Sequence, residues 1–322
     1  MDLHFLIDNL TNPALLFFFL GIFASFVKSD LSIPKNSSKF ISLYLLFSIG
    51  FKGGQELAHS ELNSEIYSGI IMGILLALIV PLYTFFILKK KFSIANSGAI
   101  AAAFGSVSAV TFITSVNFLE VEQINYGGHM VAVMALMEAP SIIVGVLLMR
   151  FFTDNVQLDV KEIVSQIKHA LTNGSVLLIL GSLVIGVLAS ESQAEGIKPF
   201  TTDIFKGFLV VFLLDMGITS GKKIGSLINH GWFALLFSII IPMLNGVIIA
   251  YVSGFWMEEI GNRFLISILA ASASYIAVPA AMRIAAPKAN PSLYLPMALA
   301  ITFPFNITLG MPLYMSVIHF FK

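Results

Sequence analysis

Hydrophobic residues are grouped along this chain in ten stretches, and shorter polar segments separate them. Stretches of this kind predict transmembrane helices, because about 20 apolar residues span the hydrocarbon core of a bilayer. We therefore expect an all-α, polytopic membrane protein. The predicted spans are 13–27, 40–53, 66–88, 94–118, 129–152, 176–189, 200–221, 232–255, 264–286 and 293–320.

The composition agrees with this pattern. The chain is 57% hydrophobic and only 11% charged, whereas a soluble domain carries about 25% charged residues. The formal net charge is zero, and no basic patch indicates nucleic acid. The chain has no Cys, which excludes disulfides and thiolate metal sites. The first residues lack a positive region and a small-residue cleavage site, so we expect the first apolar stretch to be a retained span.

Lys and Arg are distributed unevenly between alternate loops. Positive residues are retained on the cytoplasmic side of a membrane, so this bias predicts the orientation. It places both termini outside the cell (inner) membrane and the central linker inside. Thirteen of the eighteen residues lie on the predicted inner side: Lys28, Lys35, Lys39, Lys89, Lys90, Lys91, Arg150, Lys161, Lys168, Lys222, Lys223, Arg283 and Lys288.

The central linker, 153–173, has apolar residues at helical spacing with charges between them. This pattern favours an amphipathic helix on the inner membrane surface, and a plain connector is the alternative. The linker divides the chain into a first repeat, 1–152, and a second repeat, 174–322. Each of these contains five predicted spans.

The two halves resemble each other at a nearly constant shift of 167 or 166 residues. Because five is an odd number, the second half would enter the membrane upside down relative to the first. The sequence thus predicts a five-plus-five inverted repeat, which is typical of secondary transporters. The matching positions are Gly50 with Gly217, Gly54 with Gly221, Ser106 with Ser272, and Ser108 with Ser274, and segment 134–140 also resembles 297–304.

Small and hydroxyl residues interrupt the fourth and ninth spans, at 99–111 and 270–279. Gly105 permits close approach of backbone, and Pro279 disturbs a helix, so we predict that both spans are broken. The N-terminus of a resumed half-helix attracts an anion. Four serines add hydroxyl groups to this predicted anion site: Ser106, Ser108, Ser272 and Ser274. The alternative is that the small residues only allow helices to pack closely.

Two acidic residues lie within predicted spans. A charge at the bilayer centre costs about 2.5–3.5 kcal/mol, so each acid needs a partner, and no Lys or Arg lies at comparable depth. A bound cation or a proton would serve, and sodium favours oxygen ligands. The alternative for each acid is a hydrogen bond to a helix end. The candidate sodium ligands are Asp215, Glu138, Ser48, Thr111, Thr302 and Asn306.

Several of these segments together resemble the sodium-dependent bicarbonate permease family of the SbtA type. The resemblance covers nearly the whole chain, and the run from Ser272 to Asn306 is its most specific part. The resembling segments are 50–54, 104–108, 137–140, 214–217, 272–283, 289–294 and 302–306.

The resemblance implies sodium/bicarbonate symport by a homotrimer whose protomers have a core and a gate domain. It places bicarbonate between the broken helices, and it places sodium nearby with Asp215 as a ligand. In cyanobacterial members a PII-like regulator binds the cytoplasmic face, but the shorter central loop of this chain argues against that partner here. The implied bicarbonate positions are Ser106, Val107, Ser108, Ala109, Ser272, Ala273 and Ser274, adjoining Gly105.

No ATP-binding motif, nucleophile motif or metal-ligand spacing is present in the sequence, so we do not expect an enzyme. We expect a secondary transporter that uses sodium to drive symport of a small anion, bicarbonate. One alternative is a cation/proton antiporter in which Asp215 or Glu138 carries the proton. Another is a ligand-binding sensor built on a transporter fold.

Overall fold

The computed structural model describes residues 7, 9–59, 64–153, 168, 172, 174–228 and 231–321, and within this part the chain is all-helical. The helices are α1 (Pro13–Phe26), α2 (Lys35–Ala58), α3 (Ser64–Leu88), α4 (Ile94–Gly105), α5 (Ala109–Val121), α6 (His129–Phe151), α7 (Gly174–Leu188), α8 (Glu191–Lys198), α9 (Phe205–Ile228), α10 (Trp232–Val252), α11 (Ile260–Ala271), α12 (Ala277–Ala285) and α13 (Pro291–Phe320). α13 contains π-helical turns at Met297–Thr302 and Asn306–Gly310.

Six helical stretches of the described chain are long and apolar enough to cross a membrane. They are α3, α4 with α5, α6, α8 with α9, α10, and α13, whereas α1, α7 and α11 are apolar but shorter. Exposed Phe, Leu and Ile side chains on α1, α3 and α10 form faces that suit lipid. The prediction of a multi-pass, all-α membrane protein is therefore confirmed, and the count of ten spans stays a prediction.

The helices pack as two units. In the first, α1 packs along α9, α2 packs along α7, and α2 also contacts α9; we call this the four-helix unit. In the second, α3, α4 and α6 pack together, as do α10, α11 and α13, and these two groups meet through α5 and α12; we call this the crossing unit. The two units share an extended boundary, because α9 contacts α13 and α2 contacts α6.

Glycines make the two long contacts of the four-helix unit possible. A Cβ on Gly54 of α2 would lie 2.1 Å from the carbonyl oxygen of Leu183 on α7. A Cβ on Gly217 of α9 would lie 2.1 Å from the carbonyl oxygen of Phe18 on α1. Backbones this close exclude any larger residue, as in small-xxx-small contacts between membrane helices. The repeated glycines of the sequence are thus packing residues.

The fourth and ninth predicted spans are both interrupted, as the sequence predicted. α4 ends at Gly105 and α5 begins at Ala109, and α11 ends at Ala271 and α12 begins at Ala277. Apart from the half-buried Ala109, every residue of 97–119 is buried, and all of 261–275 is buried. Both breaks therefore lie inside the protein, where non-helical backbone is tolerated at membrane depth.

Most of the central linker, 154–167 with 169–171 and 173, lies outside the described residues. The amphipathic helix predicted there stays a prediction, as does the division into repeats at this linker.

Candidate functional site

The first break is defined by one glycine and one serine. A Cβ on Gly105 would lie 2.4 Å from Pro81 Cδ and 2.5 Å from Ser141 Oγ, so only glycine fits at this helix end. The chain then extends through Ser106 and resumes as α5, whose N-cap is Ser108. The Ser108 hydroxyl accepts a hydrogen bond from the backbone N–H of Thr111 at 3.1 Å. This serine cap directs the N-terminus of α5 into the protein interior.

The second break also has a serine at each side, but its non-helical segment is longer. Ser272 at the end of α11 is extended, and its hydroxyl donates to the carbonyl oxygen of Leu269. The Ser274 hydroxyl accepts from the backbone N–H of Val278 at 3.3 Å, in the first turn of α12. The amides of Ala109, Val110 and Ala277 have no intrahelical acceptor, as at any helix start, whereas those of Thr111 and Val278 donate to the serine caps and Pro279 has no N–H.

The two breaks are hydrogen-bonded to each other. The backbone N–H of Ser108 donates to Ser272 Oγ at 3.0 Å, and the backbone N–H of Ser274 donates to the carbonyl oxygen of Ala103 at 2.8 Å. α12 lies beside α4, and α11 lies beside α5. The two clusters that the sequence paired are thus one element in space, and all eight predicted anion-site residues lie in it or directly beside it.

Polar side chains from neighbouring helices satisfy the carbonyls that the breaks release. Asn306 donates to the carbonyl oxygen of Ala271 at 2.7 Å, and Asn245 donates to that of Ala270 at 3.2 Å. On the other helix, Ser141 donates to the carbonyl oxygen of Ala102 at 3.0 Å. Tyr83 holds Asn245 through a hydrogen bond of 2.5 Å. The helix ends are fixed by the surrounding protein, which preorganises the site.

Four buried hydroxyl oxygens make no hydrogen bond with a described residue: Ser106 Oγ, Thr111 Oγ1 and Tyr275 Oη, in or beside the two breaks, and Ser48 Oγ on α2. The Tyr275 hydroxyl lies near Ser108 without the geometry of a hydrogen bond. Buried polar atoms without partners are uncommon, and they are explained when a ligand, ion or water supplies the missing bond. The Tyr275 hydroxyl, which lines the cavity at this crossing, therefore fits a bound species.

A small, partly closed cavity of about 40 Å³ lies at the N-termini of α5 and α12. One water needs roughly 10–15 Å³ measured this way, so the cavity accommodates a small ion and excludes a larger metabolite. No Lys, Arg or His is among the described residues that line it. Its polar lining consists of Ser42, Ser108, Glu138, Ser175, Ser274 and Tyr275.

A larger cleft of about 610 Å³ adjoins this cavity and opens to the surface. The cleft and the cavity share lining residues, among them Phe212, Tyr275 and Ile276, so these residues separate the two spaces. Basic side chains line the cleft towards one end of the helices: Lys35, Lys39 and Lys222. This arrangement gives the buried site an entrance from one side.

The two predicted acids lie on these two adjoining spaces. Asp215 on α9 lines the cleft and accepts a hydrogen bond from the Ser38 hydroxyl at 2.5 Å. Glu138 on α6 lines the small cavity, and it makes no hydrogen bond or ion pair with a described residue. Within the described residues no three His, Asp or Glu side chains converge, so any sodium site here would rely on hydroxyl and carbonyl oxygens as well.

The structure places the other predicted sodium ligands in different surroundings. Thr302 donates to the carbonyl oxygen of Ser238 at 2.7 Å, and Asn306 caps α11 while accepting a hydrogen bond from Tyr314. Their side chains therefore already have protein partners. Ser48 and Thr111 make no hydrogen bond with a described residue, but neither lines the cavity or the cleft. Ser48 also lies ten residues, or about 15 Å of helix, from Ser38, the partner of Asp215, so Ser48 and Asp215 cannot share one ion.

Sequence reasoning did not find a charged cluster at the opposite end of the molecule. Glu120 on α5 lies 2.7 Å from the ammonium of Lys52 on α2 and 3.7 Å from that of Lys206 on α9. Burial and the nearby charges of Glu120 and Glu56 raise the pKa of Tyr126 in the adjoining loop. The cluster joins the crossing unit to the four-helix unit, at the end remote from the basic cleft.

These features define a multi-pass membrane protein with a polar site where two interrupted helices cross. Residues 13–319 match the Na+-dependent bicarbonate transporter superfamily, so the chain belongs to that family and is a transporter rather than an enzyme. A comparison with curated proteins gave no match. The resemblance that the sequence motifs indicated is therefore confirmed at the level of the family.

Proposed function

We propose that this protein is a secondary active transporter that couples inward movement of sodium to symport of a small anion, bicarbonate. One observation carries the proposal. The N-termini of α5 and α12 meet at one small cavity of about 40 Å³. Helix N-termini offer unpaired N–H groups and positive potential, so two of them at one cavity favour an anion without any cationic side chain.

The family name supports sodium as the coupling ion. In this proposal Asp215 on the cleft supplies a carboxylate oxygen, the kind of ligand that sodium favours as other hard cations do. Ser48 lies too far along α2 from Ser38, the partner of Asp215, to bind the same ion. Bound sodium raises the local positive potential and so favours the anion. The anion favours sodium by the same interaction, because coupling free energies between sites are reciprocal.

The inverted repeat is part of the proposal, and two structural features support it. The breaks occur at corresponding positions of the two halves, between α4 and α5 and between α11 and α12. The glycine-mediated contact of α2 with α7 corresponds to that of α9 with α1. In a repeat of this kind the site lies at the interface of the repeats, near the middle of the membrane.

For transport we propose that the crossing unit moves relative to the four-helix unit. The basic cleft opens the site at one end, while the Glu120 cluster joins the units at the other. We propose that the cleft faces the cytoplasmic side of the cell membrane, with both termini outside, and the distribution of Lys and Arg supports this orientation. This arrangement corresponds to an inward-open state. The homotrimer stays a prediction from the family resemblance, and so does a PII-like regulator, against which the short linker argues.

Uptake of labelled bicarbonate into proteoliposomes, with and without an inward sodium gradient, tests the proposal. We expect accumulation that depends on the gradient. Accumulation without sodium dependence would overturn the coupling, and no accumulation by folded protein would overturn the substrate. A sodium-driven change of internal pH without anion uptake would indicate a cation/proton antiporter, and binding without flux would indicate a sensor.

Asp215→Ala tests the sodium site directly. We expect this variant to lose sodium stimulation of uptake, because it removes the only charged ligand proposed for the ion. Asp203→Ala is the matched control, since Asp203 is exposed just before the same helix. Unchanged sodium dependence in Asp215→Ala would remove Asp215 from the mechanism.

A further inference from the structure

Glu138 is chemically unexpected in a cavity that binds an anion. It lines the same cavity as the N-termini of α5 and α12, and no described residue neutralises it or donates a hydrogen bond to it. An ionised carboxylate beside a bound anion repels it, because like charges are weakly screened away from water. An anion at this site therefore needs a feature that turns this contact into an attraction.

The other polar groups of the cavity are hydrogen-bond donors or can act as donors. Tyr275 is 8% exposed, and its hydroxyl makes no hydrogen bond with a described residue. The other donors are the amides at the starts of α5 and α12 and the hydroxyls of Ser42, Ser108, Ser175 and Ser274, which can donate or accept. An ionised carboxylate is an acceptor only. The cavity thus presents several donors and a single strong acceptor. A complementary ligand has acceptor oxygens on one side and one O–H donor on the other.

From this arrangement we propose that Glu138 is a specificity residue that accepts a hydrogen bond from the substrate's own O–H group, so that the site selects singly protonated oxyanions. This inference rests on the proposed function, and it separates the roles of the two acids. Glu138 recognises the proton of the anion by accepting its hydrogen bond. Asp215, which lines the cleft and accepts a hydrogen bond from Ser38, binds the cation.

Small anions that carry no proton should bind this site poorly. Nitrate has the planar trigonal shape of bicarbonate and the same charge, but it has no proton to donate. In the site it would place a bare oxygen against the Glu138 carboxylate. A site that hydrogen-bonds one group of its ligand discriminates strongly against an analogue that lacks this group, because the buried partner is left unpaired.

The experiment compares bicarbonate with nitrate on purified protein in nanodiscs with sodium present. Two readouts are used: the rise in melting temperature on titration with each anion, and inhibition of labelled bicarbonate uptake by nitrate. The variants are Glu138→Gln, Glu138→Asp and Tyr275→Phe. Glu138→Gln keeps the size of the side chain, removes its charge and supplies an amide N–H group that can donate a hydrogen bond to nitrate.

We expect Glu138→Gln to lower the preference for bicarbonate over nitrate by about ten- to a hundredfold. Glu138→Asp keeps an acceptor and should retain most of the preference. Tyr275→Phe removes a donor common to both anions, so both should bind more weakly while their ratio stays within about twofold. This control separates a change of selectivity from a general weakening of the site.

The outcomes distinguish the inference from the proposed function. If wild-type protein takes up bicarbonate with sodium but Glu138→Gln keeps the wild-type ratio, the inference is wrong and the proposed function stands. If wild-type protein binds nitrate as well as bicarbonate, the inference is also wrong. If neither anion stabilises the folded wild-type protein, both proposals fail.

Discussion

Glu120 joins helices from both units of the molecule, so Glu120→Gln tests whether the two units separate at this end. The carboxylate on α5 pairs with Lys52 on α2 and Lys206 on α9. α2 fixes the distance to the other end, because Lys52 follows Ser38 by fourteen residues, or about 20 Å of helix. Removing the charge frees one end of the boundary while the basic cleft at the other end is not altered directly.

The size of the effect follows from distance and exposure. Unit charges 2.7 Å apart interact by about 6 kcal/mol at an effective dielectric constant of 20, but desolvation and side-chain ordering remove most of this. For Lys52 and Glu120, with side chains 21% and 25% exposed, we take about 1.5 kcal/mol. Lys206 is 59% exposed and more distant, so it adds about 0.5 kcal/mol. The total of about 2 kcal/mol corresponds to a shift of about 30-fold between the two states.

Single-cysteine labelling measures this shift cleanly, because the chain contains no Cys. Asn117→Cys reports on the Glu120 end, where Asn117 is 6% exposed at the edge of a cavity of about 480 Å³. Thr219→Cys reports on the basic cleft. In the Glu120→Gln background we expect maleimide labelling of Asn117→Cys to become faster and that of Thr219→Cys to become slower.

Opposite changes at the two ends are the signature of alternating access. Glu195→Gln is the control, since it breaks the exposed pair of Glu195 with Lys198 within α8 and should change neither rate. If both reporter sites become faster together, Glu120 only stabilises the fold. If neither rate changes, the Glu120 cluster does not hold the two units together, and the proposed role of this ion pair in alternating access is wrong.

Two further predictions concern packing. Gly54→Ala should lower the free energy of unfolding by about 1–3 kcal/mol, because the new Cβ would lie 2.1 Å from a carbonyl oxygen of α7. Thermal denaturation measures this, with Gly207→Ala as the control because a Cβ there would have nothing within 4 Å. Equal melting temperatures for the two variants would contradict the close contact. Ser272→Ala should lower the free energy of unfolding by about 1–3 kcal/mol and speed hydrogen exchange at the Ser108 amide, because it leaves that buried N–H without its acceptor. Ser267→Ala, the control, removes only a hydrogen bond within α11 and should leave this exchange rate unchanged.

The interrupted helices were predictable because the signal is local. Small and hydroxyl residues replaced large apolar ones in the middle of two spans, and such residues accompany backbone breaks in membranes. The repetition of Gly50 and Gly54 at Gly217 and Gly221 was also visible, although the sequence did not reveal that these glycines pack against α7 and α1. The partner of each glycine depends on which helices pack together in three dimensions, and the local sequence does not specify this.

The polar partnerships were not predictable, because they join segments far apart in the chain. Asn306 looked like a sodium ligand, yet its amide caps α11, and no local pattern distinguishes a ligand from a cap. Ser38, the partner of Asp215, lies before the predicted start of the second span. Lys35 and Lys39 interrupt the apolar pattern there, whereas the helix itself begins at Lys35.

The absence of Lys, Arg and His from the described lining of the small cavity has a consequence for how the protein responds to its environment. The positive potential of this site comes from backbone amides and helix dipoles, which do not gain or lose protons. The contribution of these donors to anion binding is therefore the same in acidic and alkaline surroundings. Any dependence of uptake on acidity would have to arise from Glu138, which lines the same cavity, from Asp215 in the cleft, or from the protonation of the substrate itself. Acidity would thus act through the acceptors of the site and the dissolved anion, and not through the donors.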